Sequence, residues 1–278
     1  MKKLLIGFLI ITGLFSCDLE KEIQYDPVYD GGKIIIHGFI SQNEGVRVIV
    51  RKSVPVNRTT ENDIISGAQV FLFGDGKFNF NLAEVEPGYF VSPPESKLAN
   101  GVAYMIRVVT DKNGIAESST QLLIPEVILD SLIYEKSTHL TKSGKLKYYF
   151  KDPLVSANFY SFSYKEFDHN DLIGTFPYNN EFIMPYTSDI SFNGTLWSED
   201  MFYSPPSHRD TITITGRLYN ISPEYMKFLE SMDDYEYTRG DPFFDHTSPV
   251  FSNIKNGYGI FGSYTFSEKS LTYIITEK

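Results

Sequence analysis

The chain has 278 residues, 42% of them hydrophobic and 15% aromatic, with 25 basic against 35 acidic side chains and a net charge of −10. That is apolar material for one large or two ordinary cores. The acidic balance lacks the basic footprint that nucleic acid demands and gives no pull toward anionic lipid, so it reads as a solvated surface. Cys17 is the only cysteine, which excludes an internal disulfide.

In chain order, Lys2 and Lys3 precede an apolar run of 12 residues at positions 4–15, short of the roughly 20 that a spanning helix needs. A basic start, a short apolar stretch and the small Ser16 before Cys17 make a secretory signal over residues 1–16. Leu14-Phe15-Ser16-Cys17 resembles a bacterial lipobox, so Cys17 is expected to be lipidated and to become the new N-terminus. Such a modification carries several acyl chains, and more than one chain anchors a protein stably. Removing the signal leaves a net charge of −12. Residues 17–32 are polar, contain Pro27 and Gly31-Gly32, and read as a tether.

Short aromatic and β-branched runs punctuated by Gly, Pro, Asn and Asp predict an all-β (mainly β) body. Strands are expected at 33–40, 46–54, 67–73, 77–82, 88–91, 102–110 and 115–123, with Asp111-Lys112-Asn113-Gly114 as a hairpin signal. Seven short strands in this span fit an immunoglobulin-like β-sandwich over residues 33–124. Pro125 marks the start of a β-rich C-terminal domain, 125–278, with strands at 127–135, 145–150, 158–167 and 210–219. Residues 168–209 lack clear alternation and read as a long functional or poorly ordered connection. One short helix is expected: Ser222 as N-cap, Pro223 at the first position, Glu224 in the first turn, then Tyr225, Phe228, Leu229 and Met232 on one face, ending near Asp234. Residues 258–266 and 271–276 are expected to close the chain as a hairpin.

Several of these segments resemble, in order, one family of Bacteroidota lipoproteins. CDLEKEI, KIIIHGFI, SGAQVFLFGDG, PGYF and GVAYMIRV are followed by VILDSLIY, FKDP with NFYSF, GDPFF and SNIKNGYGIFGSY. The set is similar to domain-of-unknown-function family 4249 over nearly the whole chain after the signal; Phe39-Ile40 stands where that family often has Trp, and Tyr258 where Leu is common. The resemblance implies an outer-membrane setting beside TonB-dependent transporters. The acids Asp18, Glu20 and Glu22 after Cys17 look like the surface-export signals of Bacteroidota lipoproteins, so the protein is expected to be lipid-anchored and to face outward.

No catalytic spacing emerges: there is no Gly-x-Ser-x-Gly, His-Glu-x-x-His or P-loop, and His37, His139, His169, His208 and His246 stand singly. No metal site or cofactor is expected. Asp168, Asn170 and Asp171 lack the EF-hand pattern, and the acids near 233–236 and 241–245 read as solvated faces. Gly257-Tyr258-Gly259-Ile260-Phe261-Gly262 lies in a strand with no helix after it, so its glycines read as a bulge or a close backbone approach. Trp197, Phe202 and Tyr203, in the long connection, are the ligand-binding candidates, since rings stack on sugars and loops carry function. Asp130-Ser131-Leu132 and Asp210-Thr211-Ile212 resemble an O-glycosylation signal at Ser131 and Thr211. The resulting expectation is a non-enzymatic accessory or substrate-binding partner of a TonB-dependent β-barrel engaged in nutrient uptake. The alternatives are a glycan- or matrix-binding adhesin and a surface glycan hydrolase.

Overall fold

The computed structural model describes residues 29, 31–55, 63–137, 143–154, 157–166, 186–204, 211–238 and 248–274. Cys17, most of the tether, residues 167–185 and the groups near 168–171 and 241–245 lie outside them.

The first sandwich uses β1 (Ile34–Ser41), β2 (Gly45–Lys52), β3 (Gln69–Gly74), β4 (Lys77–Asn81), β5 (Ala83–Glu86), β6 (Tyr89–Val91), β7 (Ala103–Thr110), β8 (Gly114–Ser118) and β9 (Gln121–Leu122). One sheet contains β1-β2-β6-β5 and the facing sheet β8-β7-β3-β4. These are the strand orders of an immunoglobulin-like sandwich. Alternation explains the burial: Ile34, Ile36, Val46, Val48, Val50, Leu72, Ile106 and Val108 are fully enclosed between the two sheets. Each such side chain contributes about 1.5–3 kcal/mol.

The second half adds β10 (Leu129–Lys136), β11 (Gly144–Lys151), β12 (Phe159–Glu166), β13 (Tyr186–Ser188), a 3-10 turn (Asp189–Ser191), β14 (Leu196–Tyr203), β15 (Thr211–Ile221), α1 (Pro223–Thr238), β16 (Ile254–Lys255) and β17 (Gly257–Ile274). β10-β11-β14 form a small sheet packed on β12, β15 and β17 through an aromatic core of Tyr134, Tyr148, Phe150, Tyr160, Phe162, Phe192 and Tyr203.

The expected terminal hairpin is not there. β17 is one strand of 18 residues, because Glu268 and Lys269, which look like a turn in sequence, stay in register opposite Arg217 and Gly216 of β15. Glu268 keeps its place by pairing with the Arg217 guanidinium. Through β17 the two sandwiches share a single eight-stranded sheet, β13-β12-β15-β17-β1-β2-β6-β5. Among the described residues the β1–β17 ladder is the parallel one, and Ile254 and Phe261 complete the first core. The first sandwich is therefore not confined to residues 33–124: its shared sheet and its core both take residues from the far end of the chain.

The glycines of the 257–262 run do bring backbones together. A Cβ at Gly259, whose φ is +108°, would lie 2.0 Å from the Ile36 carbonyl oxygen, and one at Gly257 would lie 2.5 Å from that of Ile34. The segment joining the sandwiches crosses β17 and is buckled to it by side chains spaced two apart. Ser263 Oγ donates to the Leu122 carbonyl at 2.7 Å, Thr265 Oγ1 to that of Pro125 at 3.0 Å and Ser267 Oγ to that of Val127 at 2.8 Å. Asn220 Nδ2 also donates to Pro125, at 3.0 Å. Buried hydroxyls are rare in cores; here they satisfy carbonyls of the joining segment, of which those of Pro125 and Val127 lie outside any strand.

α1 covers the opposite face of the shared sheet. Met226, Phe228 and Leu229 are buried against Phe39, Tyr219, Ile221, Ile260 and Tyr264. Ser222 is the N-cap, accepting from the Tyr225 N–H at 3.3 Å. The helix runs four residues past Asp234, to Thr238, whose hydroxyl closes it by donating to the Asp234 carbonyl at 2.8 Å.

Candidate functional site

The outer face of β2 carries Arg47, Ile49 and Arg51, since alternate strand residues share a side. Beside them Tyr89 and Val91 of β6 line the same surface. A hollow of about 660 Å³ opens there, with Ile49, Val91 and Tyr89 as an apolar floor and Glu44, Arg47, Arg51 and Glu86 as a polar rim. A second hollow, of about 900 Å³, adjoins it and shares Glu44 and Arg47; Gln42, Asn43, Ser92, Ser96 and Phe266 are among its walls. It sits at the seam where the β1–β2 loop of the first sandwich meets β17 on its way into the second.

The walls are held in place from below. Tyr89 follows Gly88, which turns the chain at φ +73°, with the Val50 carbonyl 2.9 Å from where a Cβ would be. The Glu84 carboxylate accepts from the Gly88 N–H at 2.7 Å and the Gly67 N–H at 2.9 Å. Partial burial opposes its charge, but these backbone donors hold it below the usual carboxylate range. The β1–β2 loop is fixed by Asn43, whose side-chain amide donates to the Phe266 carbonyl and accepts from the Phe266 N–H, both at 3.3 Å. One side chain thus continues the β1–β17 ladder past the end of the strand.

Glu44 is the hinge between the hollows. Its Oε2 lies 3.2 Å from Arg47 Nη1 and accepts the phenol of Tyr264. Burial first, then the Glu44 charge, pushes the Tyr264 phenol well above its ordinary value. Tyr89 is also raised, chiefly by burial, with Arg47 opposing and Glu44 and Glu86 reinforcing. Both phenols are therefore neutral hydrogen-bonding groups at physiological pH. Arg51 is paired with Asp63 at 3.0 Å. An aromatic band runs on from Tyr264 through Tyr219, 5.9 Å between centroids, to Phe266, over whose ring the Arg217 guanidinium sits at 4.0 Å.

The residues expected from sequence to bind ligand do not converge. Trp197, Phe202 and Tyr203 lie on β14, a regular strand, where an irregular connection was expected. The inward Glu199 hides the alternation; its carboxylate accepts the Tyr148 hydroxyl at 2.5 Å. Trp197 stacks on Phe192 at 4.2 Å, Tyr203 is core, and Phe202 points to the other face, 66% exposed. Ser131 is half-buried in β10 beside a register shift, and Thr211 is exposed at the start of β15.

A second polar cluster is structural in form. Asp152, 1% exposed, accepts from the Gly194 N–H at 2.6 Å, from Asn158 Nδ2 at 3.4 Å and from the Tyr160 hydroxyl. Asp189, equally buried, accepts from the Asn158 N–H at 2.9 Å. These bonds tie the FKDP segment to the 3-10 turn. Among the described residues no group of three or more His, Cys, Asp or Glu could hold a metal ion.

Fold and hollows together define a mainly-β protein in which an immunoglobulin-like sandwich and an aromatic-cored second sandwich share one sheet. Within that class the chain belongs to the domain of unknown function family DUF4249, whose profile matches residues 20–270. A search of curated proteins found no match.

Proposed function

We propose that this protein is a lipid-anchored, outward-facing outer-membrane lipoprotein that serves a TonB-dependent transporter as a binding accessory, making and breaking no bonds. The observation that carries the reading is the polarity of the body along β1. The end of the tether lies at the start of that strand: Tyr29 donates to the Ser53 carbonyl at 2.6 Å, and Asn113 Nδ2 to that of Gly32 at 2.6 Å. The seam hollow opens at the other end, eight residues on, or roughly 26 Å at ~3.3 Å per residue. A chain anchored through Cys17 would hold the hollow away from the lipid, where cargo approaches a pore. The lipobox, the acids after it and the family's setting supply the membrane and transporter parts of the proposal.

The test is affinity capture of the tagged protein from solubilised outer membrane, with mass spectrometry of what co-purifies. Recovery of a TonB-dependent β-barrel in stoichiometric amount is expected. Recovery of the lipoprotein alone, in detergent that preserves other transporter complexes, would overturn the accessory role and turn attention to an adhesin.

A further inference from the structure

The paired hollows have a chemistry that selects among ligand classes. Each arginine on the rim already has an acid: Arg47 has Glu44 at 3.2 Å and Arg51 has Asp63 at 3.0 Å. The other charged side chains of the lining are one of each sign, Glu86 in the first hollow and Lys97 in the second, so the charges sum to zero and a ligand of net charge gains no overall attraction while it loses solvation. A guanidinium carries five donors and a carboxylate about four lone-pair sites, so a salt-bridged pair can hydrogen-bond to more than its own partner. Those groups suit uncharged hydroxyls. The adjoining hollow continues in the same vein with the amides of Gln42 and Asn43 and the hydroxyls of Ser92 and Ser96. The Tyr89 ring and the aliphatic Ile49 and Val91 supply the apolar surface that the C–H face of a pyranose covers. Alternating hydroxyl and C–H faces are the signature of a sugar, and two hollows that share Glu44 and Arg47 offer more room than one ring fills.

We infer that this trough binds a neutral oligosaccharide, with Tyr89 as stacking platform and Arg47 as the hydrogen-bonding group at the junction of the hollows. The inference rests on the binding-accessory reading for its setting only, because sugar binding is measured on the isolated protein. The full chain in detergent is titrated calorimetrically against neutral hexasaccharides of glucose, mannose, galactose and xylose, an acidic galacturonate hexamer and trialanine. At least one neutral sugar is expected to bind. Tyr89→Ala and Arg47→Met should each weaken it by about tenfold or more, while Tyr89→Phe stays within about twofold. Phe202→Ala, on the far face of β14, should change nothing. Silence from every neutral sugar, preference for the acid or the peptide, or a folded Arg47→Met variant that binds like the parent each overturns the inference. Transporter capture succeeding alongside such a result would leave the accessory role standing, and the two failures stay distinguishable.

Discussion

His37 shows how a single side chain records its place in the fold. It lies on the helix-facing side of β1, its ring 6.1 Å from that of Phe228. Burial first, and then the positive Arg51, lowers its pKa from 6.5 to about 4. Between those values the unfolded chain takes up a proton that the folded chain refuses, so stability is whole above pH 6.5 and falls as pH drops toward 4. The full loss is on the order of 3 kcal/mol, at ~1.4 kcal/mol per pH unit between 6.5 and about 4. Melting the parent and His37→Leu from pH 7.5 to 4.5 should show the parent losing ground to the variant as pH falls. A constant difference would refute the assignment. Asp152 makes the complementary case. Asp152→Ala strands the half-buried Gly194 N–H and the buried Tyr160 hydroxyl, and should cost about 3 kcal/mol in urea unfolding. A loss below about 1 kcal/mol would mean that water replaces the carboxylate.

At the scale of elements, the local signals were legible wherever burial alternated cleanly. KIIIHGFI, SGAQVFLFGDG and DTITITGRLY became β1, β3 with its turn, and β15 with small end shifts. The capping serine and first-turn proline placed the start of α1. What sequence hid was pairing over distance. Glu268 and Lys269 look like a turn until the partner strand supplies Arg217, and Glu199 looks like a break until Tyr148 accounts for it. The site was hidden for the same reason: Glu44, Arg47, Tyr89 and Phe266 are neighbours through register alone. A trace was present in GVRVIVRK, where two arginines four apart in a strand must share one face. The glycine run was legible as close backbone packing, and it sets a test. Gly259→Ala places a Cβ 2.0 Å from the Ile36 carbonyl at a φ that side chains avoid. It should cost at least ~3 kcal/mol by breaking the β1–β17 ladder, measured by denaturant unfolding. Gly76→Ala, also at positive φ (+74°) but in open space, should cost only about 1 kcal/mol.

For the whole molecule the shared strand decides how the parts depend on one another. β17 is roughly 60 Å long at ~3.3 Å per residue; its first half pairs with β1 and most of its length with β15. Two sandwiches on a flexible linker would melt separately. Here the joining segment is buckled to β17 through Ser263, Thr265 and Ser267, so neither core can open without stripping the strand from the other. One cooperative transition is therefore expected. The chain has a single tryptophan, Trp197, stacked in the second sandwich on Phe192, and its fluorescence reports that half alone. Backbone circular dichroism reports both. The two denaturation curves should coincide in midpoint and slope. Gly259→Ala, a lesion in the first sandwich remote in sequence from Trp197, tests the coupling more sharply. If the halves are coupled through β17, the tryptophan midpoint must fall by as much as the backbone midpoint. An unchanged tryptophan transition in that variant would show two independent bodies, and a rigid mount for the seam hollow would go with it.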